Sequence, residues 1–168
     1  EIIPWTLSAI QNDLNFSRLI MLNIDPKQRS LAVTHSWPAL SKSTTLQKFN
    51  IQIEQLPRLL LTSLRERKAI IINHSDEANK KILMQFAVDE FLMLPILSNN
   101  RLIALLYIDN YKNKHPLTPQ YIEEVSPIVH ELGVALANAK CIEQEKNKAE
   151  IDQLTGLMNK RMVTYHLT

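Results

Sequence analysis

The sequence predicts an α+β fold: an antiparallel β-sheet of about five or six strands flanked by helices, with a long C-terminal helix. Three observations predict it. Two pairs of apolar runs, residues 19–24 with 31–37 and residues 92–97 with 102–109, are each joined by a short turn, the pattern of hairpins. Segments with helical spacing of three and four precede, separate and follow these hairpins. Residues 102–109 (LIALLYID) are apolar on both faces although their connection is antiparallel, so both faces of the sheet must be covered. Terminal helices are expected on one face and middle helices on the other.

In chain order, residues 5–14 read as a short amphipathic helix, with Trp5, Leu7, Ile10 and Leu14 close to one face. Residues 19–24 form a strand, Asp25-Pro26-Lys27-Gln28 a turn, and residues 31–37 the returning strand. Strict alternation there puts Leu31, Val33, His35 and Trp37 on one face. The polar residues 41–50 read as a loop. Residues 56–67 form a helix with Pro57 in its first turn and Leu56, Leu59, Leu60 and Leu64 inward. A short β-branched strand follows at 69–73. Ser75 is expected to cap the next helix, with Asp76 and Glu77 at its positive end and Ile82, Leu83, Phe86 and Ala87 along it. Between the last two strands, Ser98-Asn99-Asn100-Arg101 is a tight turn, because Asn tolerates positive φ. Thr118-Pro119 opens the final helix, which the pattern carries to about Ile151. Val125, Ile128, Leu132, Ala135, Ala139 and Ile142 trace a heptad seam on it. Gly133 is one of only two glycines. A glycine inside a helix costs about 1 kcal/mol against alanine, so close packing is expected to offset it, either against the sheet or against a partner helix.

Composition narrows the function. The 19 basic and 17 acidic residues are interspersed, with no basic stripe, so no nucleic-acid partner is expected. The single cysteine, Cys141, excludes a disulfide framework and a cysteine-rich metal site within one chain. It also fits a reducing, cytoplasmic setting. No apolar run approaches the ~18 residues needed to span a membrane, and no membrane contact is expected. The sequence opens at Glu1, without a signal-peptide pattern, and reads as a segment of a longer polypeptide.

The most specific stretch is Asp152-Gln153-Leu154-Thr155-Gly156-Leu157-Met158-Asn159-Lys160-Arg161. It resembles the D-x-L-T-G-L-x-N-R-R opening of GGDEF (diguanylate cyclase) domains, with Lys160 for the first Arg. Upstream, Leu94-Pro95-Ile96, the following hairpin, residues 102–109, Thr118-Pro119 and Ala135-Leu136-Ala137-Asn138-Ala139 are similar to GAF domains over about residues 5–140. Ala104 departs from the glycine common in that family. The resemblance implies a GAF sensor domain at 1–140, a helical signalling linker at 141–151 and the truncated start of a GGDEF domain at 152–168. It further implies a bacterial signal-transduction protein whose whole chain makes cyclic-di-GMP from two GTP, with Mg2+ and GTP as expected cofactors. The catalytic acids would lie beyond residue 168, so no catalytic residue and no cofactor is expected within these residues. Asn159 matches a guanine-contacting position of the GGDEF family; in this chain its plainer reading is a solvated tail residue. The acidic residue often found further on falls on Thr168, a departure.

Candidate ligand-binding residues are His35, Trp37, Phe86, Asp89, Phe91 and Tyr107: aromatic walls with a few polar groups, as a small-ligand pocket requires. The same residues also suit an ordinary core, and an inward His such as His35 is often simply hydrogen-bonded there. Asn79-Lys80, Phe86 and Asp89-Glu90 approach the NKFDE signature of cyclic-nucleotide GAF domains, but the spacing from Phe to Asp-Glu is one residue short and the stretch lies before the Leu94-Pro95-Ile96 strand, whereas the family signature follows the later strands. Cys141 lies on the exit helix, away from any pocket, which opposes bilin attachment, and a lone cysteine opposes thiol-exchange chemistry. The five histidines show no metal-ligand spacing. The expected partners are an unknown small molecule and a second copy of the chain, paired in parallel through the terminal helices; the alternative is a ligand-free dimerisation module with sensing elsewhere.

Overall fold

The computed structural model of the chain describes residues 2–38, 49–112 and 115–139. The polar stretch 41–50 therefore lies largely outside the described residues. Cys141, Ile142, the linker 141–151 and the motif with Asn159 lie wholly outside them.

Helix α1 (Ile2–Leu14) leads into strands β1 (Arg18–Asp25) and β2 (Ser30–Trp37). A short β3 (Asn50–Gln52) and one 3-10 turn (Ile53–Gln55) precede helix α2 (Arg58–Glu66). Then come β4 (Ile70–Ile72), α3 (Lys80–Phe86), β5 (Phe91–Ser98) and β6 (Arg101–Asp109). Residues 119–139 are helical and form α4. The six strands make one antiparallel sheet in the order β3-β2-β1-β6-β5-β4. Residues up to Val134 form one compact unit, and those from Ala135 onward belong to a second.

The two central strands are covered on both faces. From Ala104 to Asp109 every residue of β6 is buried, which is what an apolar run without alternation requires. On one face Ile20, Leu22, Met93, Leu105 and Tyr107 pack with Leu60 of α2 and Ile82, Leu83 and Phe86 of α3. The other face carries Leu19, Met21, Leu94, Ile96, Ala104 and Leu106, all buried, opposite Val125, Val129 and Leu132 of α4. Val125 and Leu132, half of the seam's larger residues, are thus committed to the chain's own sheet.

Gly133 explains how closely α4 sits. A Cβ added there would overlap the Leu97 carbonyl oxygen of β5 and lie 3.4 Å from Ile96 Cγ2. Of the two packing roles expected for this glycine, the sheet contact is present.

Local details follow residue chemistry. Asn99 and Asn100 both adopt positive φ (50° and 60°), which a two-residue hairpin turn demands. Pro57 stands just before α2 rather than inside its first turn. Ser75 does not cap the third helical segment: Asp76 does, accepting from Ala78 N at 2.9 Å and opening a 3-10 turn at Glu77–Asn79 that runs into α3. A carboxylate is the better acceptor at that electropositive end.

One expectation about faces is overturned. Leu22 pairs with Val33, but Met21 pairs with His35, so Thr34 is an extra residue in β2. Such a bulge reverses the alternation beyond it. His35 and Trp37 are therefore opposite Met21 and Leu19, on the α4 side, and not on the face of Leu31 and Val33.

Replacing Gly133 with alanine gains helix propensity, yet the overlap with a backbone carbonyl that cannot rotate away should dominate. Gly133→Ala is expected to destabilise the domain by about 1–3 kcal/mol, the usual cost of overpacking; equilibrium urea unfolding measures it.

Candidate functional site

Between the sheet and the middle helices the sequence supplies four aromatic rings, and they close on one another. Phe86, at the end of α3, stacks on Tyr107 of β6 with centroids 4.2 Å apart and planes 22° apart. Phe91 lies 4.9 Å from Tyr107 and 5.4 Å from Phe86, and Phe49 lies 5.0 Å from Phe86. Phe86, Phe91 and Tyr107 are each fully buried. Three of the six candidate residues are thus brought together, each ring in contact with the other two. The bulge turns His35 and Trp37 to the opposite face. Asp89 lies outside the cluster, its side chain 93% exposed and 3.4 Å from His74.

At the edge of this cluster stands a polar network that sequence reasoning did not single out. Asp109, the last residue of β6, is fully buried. Its Oδ2 accepts from Arg18 Nε at 2.7 Å and from the Tyr107 hydroxyl at 2.6 Å, and its Oδ1 accepts from Tyr111 N at 3.2 Å. The Asp109 carbonyl accepts from Ser17 N at 2.9 Å. Arg18 Nη2 also donates to the Phe86 carbonyl at 2.7 Å. That carbonyl belongs to the last turn of α3, where a cation is favoured. The next residue, Ala87, ends the helix in the left-handed region at φ 56°, a conformation that costs a non-glycine residue about 1–2 kcal/mol. The Arg18 guanidinium further lies 4.5 Å from the Tyr111 ring centroid. Burial, reinforced by the neighbouring Asp109 carboxylate, holds the Tyr107 phenol well above its ordinary pKa, so it stays protonated as the donor. The signal was present in the sequence: a carboxylate at the end of a doubly apolar strand is almost never buried unless paired.

Beside this network opens a cleft of about 620 Å³ between the C-terminal end of α3 and the segment after β6. Leu83, Met84 and Val88 form its apolar wall; His74, Asp89, Glu90, Asn110, Tyr111 and His115 supply the rest. Glu90 Oε1 accepts from Leu117 N at 2.8 Å and ties down the approach to α4. Among the described residues no group of three or more His, Cys, Asp or Glu could hold a metal ion.

The comparisons agree with this architecture. The family model described as GAF domain matches residues 1–137. The chain belongs to the GAF family. Its fold is similar to that of a GAF domain/HD domain protein from Geobacter sulfurreducens (TM-score 0.68, 15% identity, covering 83% of this chain and 93% of that one). It is also similar to the GAF domain of a two-component sensor histidine kinase from Bacillus halodurans (TM-score 0.63, 20% identity, 83% and 97% covered). The phycocyanobilin-bound GAF domain of a cyanobacterial phytochrome shares the fold as well (TM-score 0.66, 19% identity, 82% and 83% covered). No curated protein sequence matches the chain. No helix among the described residues of this GAF domain is long and apolar enough to cross a membrane.

Two substitutions test the network. Asp109→Ala strands the Arg18 charge, which is only 13% exposed, and should cost about 3–5 kcal/mol, as breaking a buried pair does. Tyr107→Phe keeps the ring stack and loses one hydrogen bond to a charged group, about 1.5–3 kcal/mol. The raised folded-state pKa of Tyr107 also sets a pH dependence. In the unfolded chain the phenol ionises near pH ~10, so the folded form binds the extra proton above that point, and this stability is full below it and declines as pH rises beyond. Urea unfolding between neutral and alkaline pH should show the decline in the native chain and a shallower one in Tyr107→Phe.

Proposed function

We propose that this GAF domain is the regulatory sensor of a cytoplasmic bacterial diguanylate cyclase, and that it works as a parallel homodimer through its terminal helices. The carrying observation is the stretch Asp152 to Arg161, which reads as the opening of a GGDEF domain directly after a GAF domain. Joining two GTP molecules requires two catalytic domains to face each other, and only parallel exit helices deliver both to the same place. GTP, Mg2+ and the guanine contact of Asn159 belong to that catalytic part, and no described residue is assigned to them. A ligand held by the domain would act by changing how the two long helices pair.

Two exposed side chains support pairing through these helices. Trp5 on α1 is 72% exposed and Val134 on α4 is 45% exposed, although Ile10 of α1 and Leu132 of α4 are buried. Trp is the residue type most enriched at interface hot spots.

A second reading rests on the aromatic cluster: with Phe86, Phe91 and Tyr107 stacked on one another, the domain serves as a ligand-free dimerisation module and sensing happens elsewhere in the polypeptide. Native mass spectrometry separates the two, because a co-purifying small molecule favours the sensor.

Light scattering on the purified chain should report a dimer, and Trp5→Glu with Val134→Glu should raise its dissociation constant at least about tenfold, the effect of losing roughly 1.4 kcal/mol at an interface. A strict monomer at high concentration overturns the dimer; an unrelated fold after Thr168 in the intact polypeptide overturns the cyclase.

A further inference from the structure

Four large apolar side chains among the described residues are exposed: Trp5, Met84, Tyr111 and Val134. Two of them, Met84 at 69% and Tyr111 at 41%, line the same feature, the cleft beside the end of α3. Exposed apolar side chains that converge on one concavity mark a binding surface more often than scattered ones do. At about 620 Å³ the cleft lies in the range of small-molecule sites.

Its polar groups are biased toward acceptors. The Asp89 carboxylate is almost fully exposed and lies 3.4 Å from His74, Glu90 stands next to it, and the described lining residues include neither Lys nor Arg, although Lys112 Nζ lies 5.7 Å from the Tyr111 ring centroid. The nearby Arg18 is already engaged by Asp109 and the Phe86 carbonyl. Asn110, only 7% exposed, borders the cleft; its Nδ2 donates to the His115 carbonyl at 3.3 Å, and its Oδ1 has no hydrogen-bond partner among the described residues. Buried amide oxygens are normally paired, and the terminal torsion of an Asn is soft enough to turn that oxygen toward an incoming donor.

We propose that this cleft binds a small organic cation with an apolar body, such as an aromatic amine. The ammonium is set against Asp89 and Glu90 and donates to Asn110, while the ring lies on Met84, Val88 and the exposed part of Tyr111. The site rests on the sensor reading and deepens it, because it places the ligand at the end of the sheet, beside the aromatic cluster. A ligand there touches Asn110 and Tyr111, the two residues that follow Asp109, and Tyr111 N is held by the Asp109 carboxylate. Occupancy would therefore act on the same network that joins β1, β6 and α3.

The test titrates tyramine into the purified chain and follows backbone amide shifts by two-dimensional NMR. The expected result is saturable shifts at Asp89, Glu90, Asn110 and Tyr111. Asp89→Asn should weaken binding about three- to fivefold, as loss of an exposed ion pair does, and its exposure leaves the fold intact. 4-Hydroxyphenylacetate has a similar ring with the opposite charge and should bind at least about tenfold more weakly, since like charges oppose each other at close range. Shifts that fail to saturate by about 10 mM, well beyond a millimolar dissociation constant, overturn the proposal. So do shifts that map to another surface, or a carboxylate ligand that binds as tightly as the amine. The measurement reads binding on the domain itself, so its failure leaves dimerisation and cyclase control standing, and their failure leaves the cleft standing.

Discussion

A carboxylate with no exposed surface has to be neutralised where it stands, and Asp109 sets that condition for the rest of the domain. An unpaired charge inside a protein is so costly that the surrounding chain must come to it. Here Arg18 comes from the first residue of β1, the Tyr107 hydroxyl from two residues back, and Tyr111 N from the segment beyond. Arg18 then reaches past the carboxylate to the last turn of α3. One ion pair thus fixes the edge where two central strands, a helix end and an exit segment meet. The arrangement specifies geometry more than it adds stability, since a buried pair regains little beyond its own desolvation.

The aromatic cluster is the apolar counterpart of that pair. Phe86 both stacks on Tyr107 and offers its carbonyl to Arg18, so the rings and the charges share residues and cannot rearrange independently. A GAF domain that held a large ligand between sheet and middle helices would need this volume open.

Much of the architecture was legible because it rests on short-range rules. Alternation and apolar runs placed the four long strands, Asn99-Asn100 placed the turn, and the continuous apolarity of residues 102–109 foretold cover on both faces. The candidate site was less legible. Phe86, Phe91 and Tyr107 were recognised as neighbours, yet whether rings line a space or fill it depends on packing that no linear pattern encodes. The single extra residue at Thr34 moved His35 and Trp37 across the sheet, and a bulge has no compositional mark in this strand. Arg18 and Asp109 are ninety-one residues apart in the chain, so their pairing is visible only once β1 and β6 are known to be adjacent. The heptad spacing of α4 was real but ambiguous: a helix lying on a sheet and a helix lying on its twin use the same period.

The close approach at Gly133 also restricts how α4 can travel. Its backbone rests against the Leu97 carbonyl at the one position lacking a side chain. Sliding the helix by a turn, about 5.4 Å, would bring a residue bearing a Cβ to the same oxygen. An axial slide of a full turn is thereby opposed, whereas a small rotation about the glycine leaves the contact in place. For the residues around it, Gly133 is the fixed point against the sheet.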